Sequence, residues 1–156
     1  MQWYLTNKSR LELEVEIMKG NGVNFQLCSD ERGNLLWRGP LLVCGHYHSD
    51  VRLVYPENFP YQKIEVYVLN PKIPPVIYHV HEDGRICYMK EDSEWSANWT
   101  AYTVYLTTIR FLYDFYNGKM YEAQYPISLP LNQHPVSFPP NQHENLLKKI
   151  WRGLFG

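Results

Sequence analysis

The sequence predicts an α+β fold: an N-terminal helix, a four-stranded antiparallel meander sheet, an irregular loop and then C-terminal helices. Three observations lead to this prediction. Strand-like segments follow one another between residues 23 and 69. The connections between them are only a few residues long, which favours antiparallel neighbours over crossover units. Helical patterns stand on either side of this block of strands.

The first helix is predicted over residues 9–19, although this segment carries two conflicting patterns. Apolar and charged residues alternate in it, which is the period of a half-buried strand. Ser9 followed three residues later by Glu12 is instead a helix capping box. Three apolar residues also share one helical face: Leu11, Val15 and Met18. A Gly-Asn-Gly sequence, which commonly ends a helix, follows this segment at residues 20–22. We therefore favour the helix.

Four strands are predicted, over residues 23–28, 35–44, 46–55 and 63–69. The second contains Gly39-Pro40 and is therefore expected to bulge or bend. The fourth alternates strictly between apolar and polar side chains. Cys28 and Cys44 each end an apolar stretch, so we expect both to pack in the core.

A proline-rich segment then ends regular structure, and a loop with Cys87 follows it. The pattern of residues 101–116 predicts a helix that stops at Asn117-Gly118. We expect one domain over residues 1–125. Residues 126–156 are expected to form a proline-rich connection and a short helix near residues 142–152. That helix either packs on the domain or offers an apolar stripe to a partner.

Composition excludes several classes of function. A formal net charge of −1 argues against nucleic acid as a ligand, because such ligands require a clustered basic face. No apolar run approaches the roughly 20 residues of a membrane span, and no signal segment opens the chain. Three widely spaced cysteines suit reduced thiols rather than a disulfide framework. We therefore expect a cytoplasmic protein without a membrane or nucleic-acid partner.

Cys87 is the candidate nucleophile. Two histidines, an acid and a turn glycine precede it within residues 79–87. This composition is typical of a thiolate that neighbouring groups activate by lowering the pKa of the thiol. The alternative is that Cys87 is a small hydrophobic residue packed beside a turn. Asp83-Gly84 is the ordinary chemistry of a tight turn, so a structural role is expected for both residues.

His79 and His81 are the nearest candidates for proton transfer. Residues two apart on an extended segment point the same way, so both can face Cys87 if the loop curls. Each has a structural alternative, a hydrogen bond that fixes the loop backbone. No metal and no cofactor is expected, since the spacing is not that of a zinc knuckle and no fourth ligand is evident. The acids that follow either form a solvated loop or orient an incoming amine: Glu91, Asp92 and Glu94.

An ordered set of motifs resembles the ubiquitin-conjugating enzyme family. It consists of Trp37-Arg38-Gly39, the Val-Tyr-Pro-Glu-Asn-Phe-Pro-Tyr run of residues 54–61, Gly84-Arg85-Ile86-Cys87, and Trp95 before the predicted helix. The resemblance implies a transferase that holds an acyl group as a thioester on Cys87. It also implies an active-site loop supported by Asp83, Gly84 and Trp95. Eukaryotic members carry His-Pro-Asn upstream of the cysteine, whereas here His79 precedes Cys87 by eight residues and no Pro-Asn follows it.

The order His-x-His-x-Asp-Gly-x-Ile-Cys is more similar to bacterial relatives in antiphage operons. Among these it resembles the stand-alone form of cyclic-oligonucleotide-based antiphage signalling systems (CBASS). The resemblance implies a partner whose C-terminus is conjugated, a nucleotidyltransferase related to the cyclic GMP–AMP synthases. The alternative partner is a ubiquitin-like modifier supplied by an activating enzyme. Two rival functions stay open, a non-catalytic binding variant of the same fold and a cysteine hydrolase.

Overall fold

The computed structural model describes residues 1–76, 78–89 and 92–119. Within them the helices are α1 (Trp3–Thr6), α2 (Lys8–Gly20) and α3 (Ala101–Tyr116). The strands are β1 (Gln26–Ser29), β2 (Leu35–Val43), β3 (His46–Val54), β4 (Glu65–Leu69) and β5 (Arg85–Ile86), and a 3₁₀ turn spans Asp92–Glu94. The connection and short helix predicted over residues 126–156 lie outside the described residues.

The strands form one antiparallel meander in the order β1-β2-β3-β4-β5. An α+β fold with an N-terminal helix, an antiparallel sheet and a later helix is thus confirmed. The prediction of four strands is wrong, because Arg85 and Ile86 pair with Tyr67 and Val66 as a fifth. Two residues are too few to show the alternation by which a strand is read from sequence.

The helix predicted over residues 9–19 forms as α2, but its capping differs from the prediction. Asn7 is the N-cap, and its side-chain oxygen accepts a hydrogen bond from the Arg10 N–H at 3.2 Å. The predicted capping box of Ser9 and Glu12 is therefore wrong, because the N-cap lies two residues before Ser9. Asn7 competes equally well for the cap, since asparagine and serine are both preferred there. The short helix α1 was not predicted.

A β-bulge interrupts the pairing of β2 with β3 at Gly39-Pro40, where the sequence predicted a bulge or a bend. The pairing of β2 with β3 shifts between Gly39 and Leu41. On one side of the bulge Val51 is fully buried, and on the other side His48 turns to the same core face and is also buried. A Cβ on Gly39 would lie 2.4 Å from Cδ1 of Phe25, so only glycine fits there without displacement. The bulge therefore places a histidine beneath α3.

A buried carboxylate joins the helices behind the sheet. Glu14 of α2 is 0% exposed and accepts hydrogen bonds from the Ala101 N–H at 2.7 Å and the Tyr55 hydroxyl at 2.9 Å. It also pairs with Arg10, which donates in turn to the Trp99 carbonyl. Burial raises the pKa of Glu14, while the Arg10 charge and these donors lower it. The network fixes the start of α3 and the segment before it.

Cys28 and Cys44 are exposed, so their predicted place in the core is wrong. Cys28 lies on the edge strand β1, where the alternation of a strand turns Leu27 toward the core side and Cys28 away from it. Cys44 lies in the turn between β2 and β3 with a φ of 51°. An apolar run that ends in a tight turn leaves its last side chain outside the core.

Candidate active site

The segment that carries Cys87 folds into a small hairpin. The Cys87 N–H donates to the His79 carbonyl at 2.8 Å, and the His81 N–H donates to the Arg85 carbonyl at 2.9 Å. Between them Val80 pairs with Ile86, and both of these side chains are buried. Because neighbours along a strand point to opposite faces, His81 and Cys87 lie on the face away from the core.

The turn of this hairpin is built by Asp83 and Gly84. The Asp83 side chain accepts a hydrogen bond from the Arg85 N–H at 3.0 Å. Gly84 has a φ of 88°, and a Cβ on it would lie 2.6 Å from the Leu69 side chain and 2.9 Å from the Val68 carbonyl oxygen. Both residues therefore act on the shape of the loop, and glycine is required at its tightest point.

The thiol and one imidazole are in hydrogen-bond contact. His81 Nε2 lies 3.3 Å from Cys87 Sγ. His81 is exposed and Cys87 is half-buried, so both can be reached from solvent. When its proton is on Nδ1, His81 accepts the thiol proton at Nε2; when doubly protonated, it donates to a thiolate. The sequence pattern could not decide which histidine faces the thiol, and the structure brings His81 to it.

His79 is placed differently from His81. Its backbone carbonyl holds the Cys87 N–H, and its side chain is buried. Burial lowers the pKa of the His79 imidazole. The His79 ring is thus buried two residues before the exposed ring of His81, and its structural role stays a prediction.

The electrostatic environment of Cys87 contradicts one expectation from the sequence. Burial raises the pKa of the thiol, and the carboxylate of Asp92 raises it further. The charges of Lys63 and Arg85 lower it, but burial outweighs them. The resting group is therefore a neutral thiol rather than a standing thiolate, and a base is needed when it reacts.

Lys63 belongs to the site, although no pattern in the sequence singles it out. Its ammonium lies 2.5 Å from the Asp92 carboxylate, which ties the segment after Cys87 to the start of β4. No local pattern reveals this neighbour, because Lys63 and Asp92 are 29 residues apart in the sequence. Asp92 is thus paired and also largely solvated, because its side chain is 82% exposed. Glu91 lies outside the described residues.

A groove of about 490 Å³ is lined in part by Lys63 and Asp92, two charged residues that act on the Cys87 thiol. Cys87 and His81 themselves are not among its lining residues. Trp95 forms part of its wall and donates its indole N–H to the Pro60 carbonyl at 2.8 Å. That tryptophan also packs against Phe59 and Trp99. Trp95 therefore shapes the groove rather than taking part in proton transfer.

Metal sites and membrane spans are not found in the part of the chain that the structure describes. Within residues 1–76, 78–89 and 92–119, no group of three or more histidine, cysteine or acidic residues is placed to hold a metal ion. None of the helices in these ranges is long and apolar enough to cross a membrane. His134 and His143, which the sequence places in the tail, lie outside these ranges.

Comparison with known proteins finds similar chains among solved structures. No protein-family model matches the chain, and no curated protein matches its sequence. Among solved structures, the human ubiquitin-conjugating enzyme E2 G1 is similar, with a TM-score of 0.49 and 18% identical residues. That likeness covers 69% of this chain and 95% of the human chain.

Proposed function

We propose that this protein is a ubiquitin-conjugating-like transferase that carries the C-terminus of a partner protein as a thioester on Cys87. The observation that supports this most is the contact of 3.3 Å between His81 Nε2 and a solvent-reachable Cys87 Sγ. A nucleophile within reach of a base is the arrangement that acyl transfer to sulfur needs. The Gly84-Arg85-Ile86-Cys87 motif supports the same family of chemistry.

The first step is formation of the thioester. As the Cys87 sulfur attacks an activated carboxyl carbon, His81 takes the thiol proton at Nε2. The C–S bond forms, the bond to the activating group breaks, and the imidazolium returns its proton to that leaving group. The raised pKa of Cys87 keeps the thiol protonated until the acyl donor and His81 act together.

The donor's tail is proposed to lie in the groove that Lys63 and Asp92 help to line. An extended C-terminal segment is narrow enough to enter, and the lining combines an aromatic wall with charged side chains: Tyr61, Lys63, Glu65, Asp92 and Trp95. A bound tail would present its terminal carbonyl to the thiol, so that much of the barrier is removed by position alone.

We further propose a role in bacterial antiphage defence, in the cytoplasm, with a nucleotidyltransferase as the conjugated partner. This part rests on the His-x-His-x-Asp-Gly-x-Ile-Cys order, since the site geometry does not distinguish partners. A ubiquitin-like modifier delivered by an activating enzyme would use the same thiol and the same groove. The genes encoded beside this one separate the two partners.

A cysteine hydrolase has less support. Among the residues that the structure describes, no carboxylate is hydrogen-bonded to His81, so the third member of a Cys-His-acid arrangement is not found there. A binding variant without activity would keep the groove and would not require the contact between His81 and Cys87.

The test is co-expression with the proteins encoded beside it, followed by intact mass measurement. We expect an adduct that is released by excess thiol and is absent from Cys87→Ala. Cys28→Ala and Cys44→Ala are matched controls, because both cysteines are exposed and should leave the adduct unchanged. Peptide-bond cleavage lost with Cys87 would instead favour the hydrolase. Partner binding without any adduct would favour the binding variant.

A further inference from the structure

Lys63 and Cys87 lie on the same face of the sheet. Burial alternates strictly through residues 63–69, so that Ile64, Val66 and Val68 face the core and Lys63 faces outward. The pairing of Val66 with the buried Ile86 sets the register of β4 and β5. Continued by one residue pair, this register places Cys87 opposite Glu65 and diagonal to Lys63.

The diagonal distance is within reach of a lysine side chain. Diagonal Cβ atoms of neighbouring strands are about 7–8 Å apart, and the Lys63 ammonium stands on a flexible four-carbon stem. The stem turns toward the segment after Cys87, because the ammonium pairs with Asp92 there. Among the described lysines, Lys63 is the one whose charge acts on the Cys87 thiol.

We infer that Lys63 is an internal acceptor for the acyl group on Cys87, so that the protein fixes its partner's C-terminus as a stable amide on its own chain. This inference rests on the proposed function, since it needs the thioester. It adds a modification site: a primary amine held on the outer face beside the thiol, at the edge of the groove where an acyl donor would lie.

The step balances without any oxidant or further reactant. The Lys63 ammonium loses one proton to solvent, and the neutral Nζ attacks the thioester carbonyl carbon. The C–N bond forms, the second Nζ proton passes to solvent water, and the C–S bond breaks with its electron pair on sulfur. The Cys87 thiolate then takes up one proton, with His81 beside it as donor. An amide replaces a thioester, which makes the transfer favourable.

The experiment uses the full chain with Cys28→Ala and Cys44→Ala, in which Cys87 is the one remaining cysteine. The probe is a synthetic peptide that ends in a glycine thioester. After loading, excess peptide is removed and the adduct is followed by intact mass and peptide mapping. We expect the thiol-labile adduct to convert into a thiol-resistant adduct on Lys63, faster as the pH is raised, because only the neutral amine attacks.

Lys63→Arg should lower the yield of resistant adduct at least tenfold while the labile adduct still forms. Lys72→Arg is the matched control, because Lys72 is exposed and near the same loop, where it donates to the Glu82 carbonyl. Adding Cys87→Ala should remove the resistant adduct, which excludes direct acylation of the lysine by the probe.

Two failures are distinguishable. If no labile adduct forms on Cys87, the proposed function itself fails. If the labile adduct forms but hydrolyses without reaching Lys63, or moves to another lysine, the inference about Lys63 is overturned and the thioester stands. Lys90 is the competitor to map in this case, because it lies three positions after Cys87 in the sequence and outside the described residues.

Discussion

Two His-x-His pairs stand in this chain, His46-Tyr47-His48 at the start of β3 and His79-Val80-His81 before Cys87. In each pair one histidine is exposed and the other buried. Burial lowers the pKa of the buried member in both, His48 and His79. In sequence, spacing and burial the two pairs are therefore alike.

They differ in what surrounds them. His48 is hydrogen-bonded at Nδ1 to the Pro71 carbonyl at 2.7 Å and at Nε2 to the Tyr116 hydroxyl. His46 stacks on the Tyr116 ring with centroids 3.8 Å apart. The first pair thus joins the sheet to the end of α3, whereas His81 contacts the Cys87 thiol. The contacts of each pair, rather than the motif, separate a structural pair from the pair for which we propose a role in acyl transfer.

The largest expected difference between the pairs is in reaction rate. His81→Ala should slow loading of Cys87 by the glycine-thioester peptide about a hundredfold or more, because the base for the thiol proton is lost. His46→Ala, in the same single-cysteine background, removes an equally exposed imidazole and should leave the loading rate within about twofold of the parent. Initial rates from intact mass measure both.

Equal rates for the two variants would place the base elsewhere and break the distinction between the pairs. Folding is checked separately by circular dichroism and urea unfolding. Both should show that His81→Ala retains the structure and stability of the parent.

The turns beside the two pairs offer a second contrast, in stability. Gly84→Ala should lower the free energy of unfolding by about 3 kcal/mol, because a positive φ costs about 1–2 kcal/mol and the new Cβ meets Leu69 and Val68 at under 3.0 Å. Gly45→Ala also has a positive φ, but nothing lies within 4 Å of its Cβ, so about 1 kcal/mol is expected. Urea unfolding compares them, and similar losses would contradict the close packing of the Cys87 turn.

The buried histidine of the first pair should matter for stability and not for chemistry. His48→Ala leaves the Pro71 carbonyl and the Tyr116 hydroxyl without their partner, so we expect a loss of about 2 kcal/mol in the free energy of unfolding. The rate of Cys87 loading should be unchanged in the folded fraction. A slowed loading rate with full stability would reverse the roles assigned to the two pairs.

The smallest expected effect is a dependence of the free energy of unfolding on pH, to which the buried histidine of each pair contributes. Because burial lowers the folded-state pKa of His48 and His79, the unfolded chain takes up protons first as the pH falls below about 6.5. The free energy of unfolding should therefore be highest above that pH and fall as the pH drops through it. His48→Gln should reduce this slope, because it removes one of the two buried imidazoles. NMR titration of His48 at or above pH 6.5 would contradict the account.

Much of this fold can be predicted from sequence, because regular alternation and helical faces are local signals. The helix over residues 101–116 and the bulge at Gly39-Pro40 match the structure for that reason. The strand Arg85–Ile86 could not be predicted, since its pairing with β4 and not its length defines it. Cys28 and Cys44 were misplaced because apolar neighbours in sequence do not determine which side of an edge strand or turn a residue occupies.

The candidate site was predictable in part for the same reason. Cys87 and its two histidines stand within one short window, and composition alone singles them out. The choice of His81 depends on the hairpin register, and Lys63 reaches the site through its contact with Asp92, 29 residues away in the sequence. The direction of the Cys87 pKa depends on burial, which no short motif encodes.

The central claim is that the C-terminus of the partner protein is attached to the side chain of Cys87. The Cys87→Ser variant tests this claim most directly. Serine replaces the labile thioester with a more stable ester, which survives digestion. The variant is co-expressed with the neighbouring gene products, and its adduct is sequenced by tandem mass spectrometry. We predict a cross-link between the side chain at position 87 and the C-terminal residue of the partner. Attachment through a side chain other than those of residue 87 and Lys63, with residue 87 unmodified, would contradict the account.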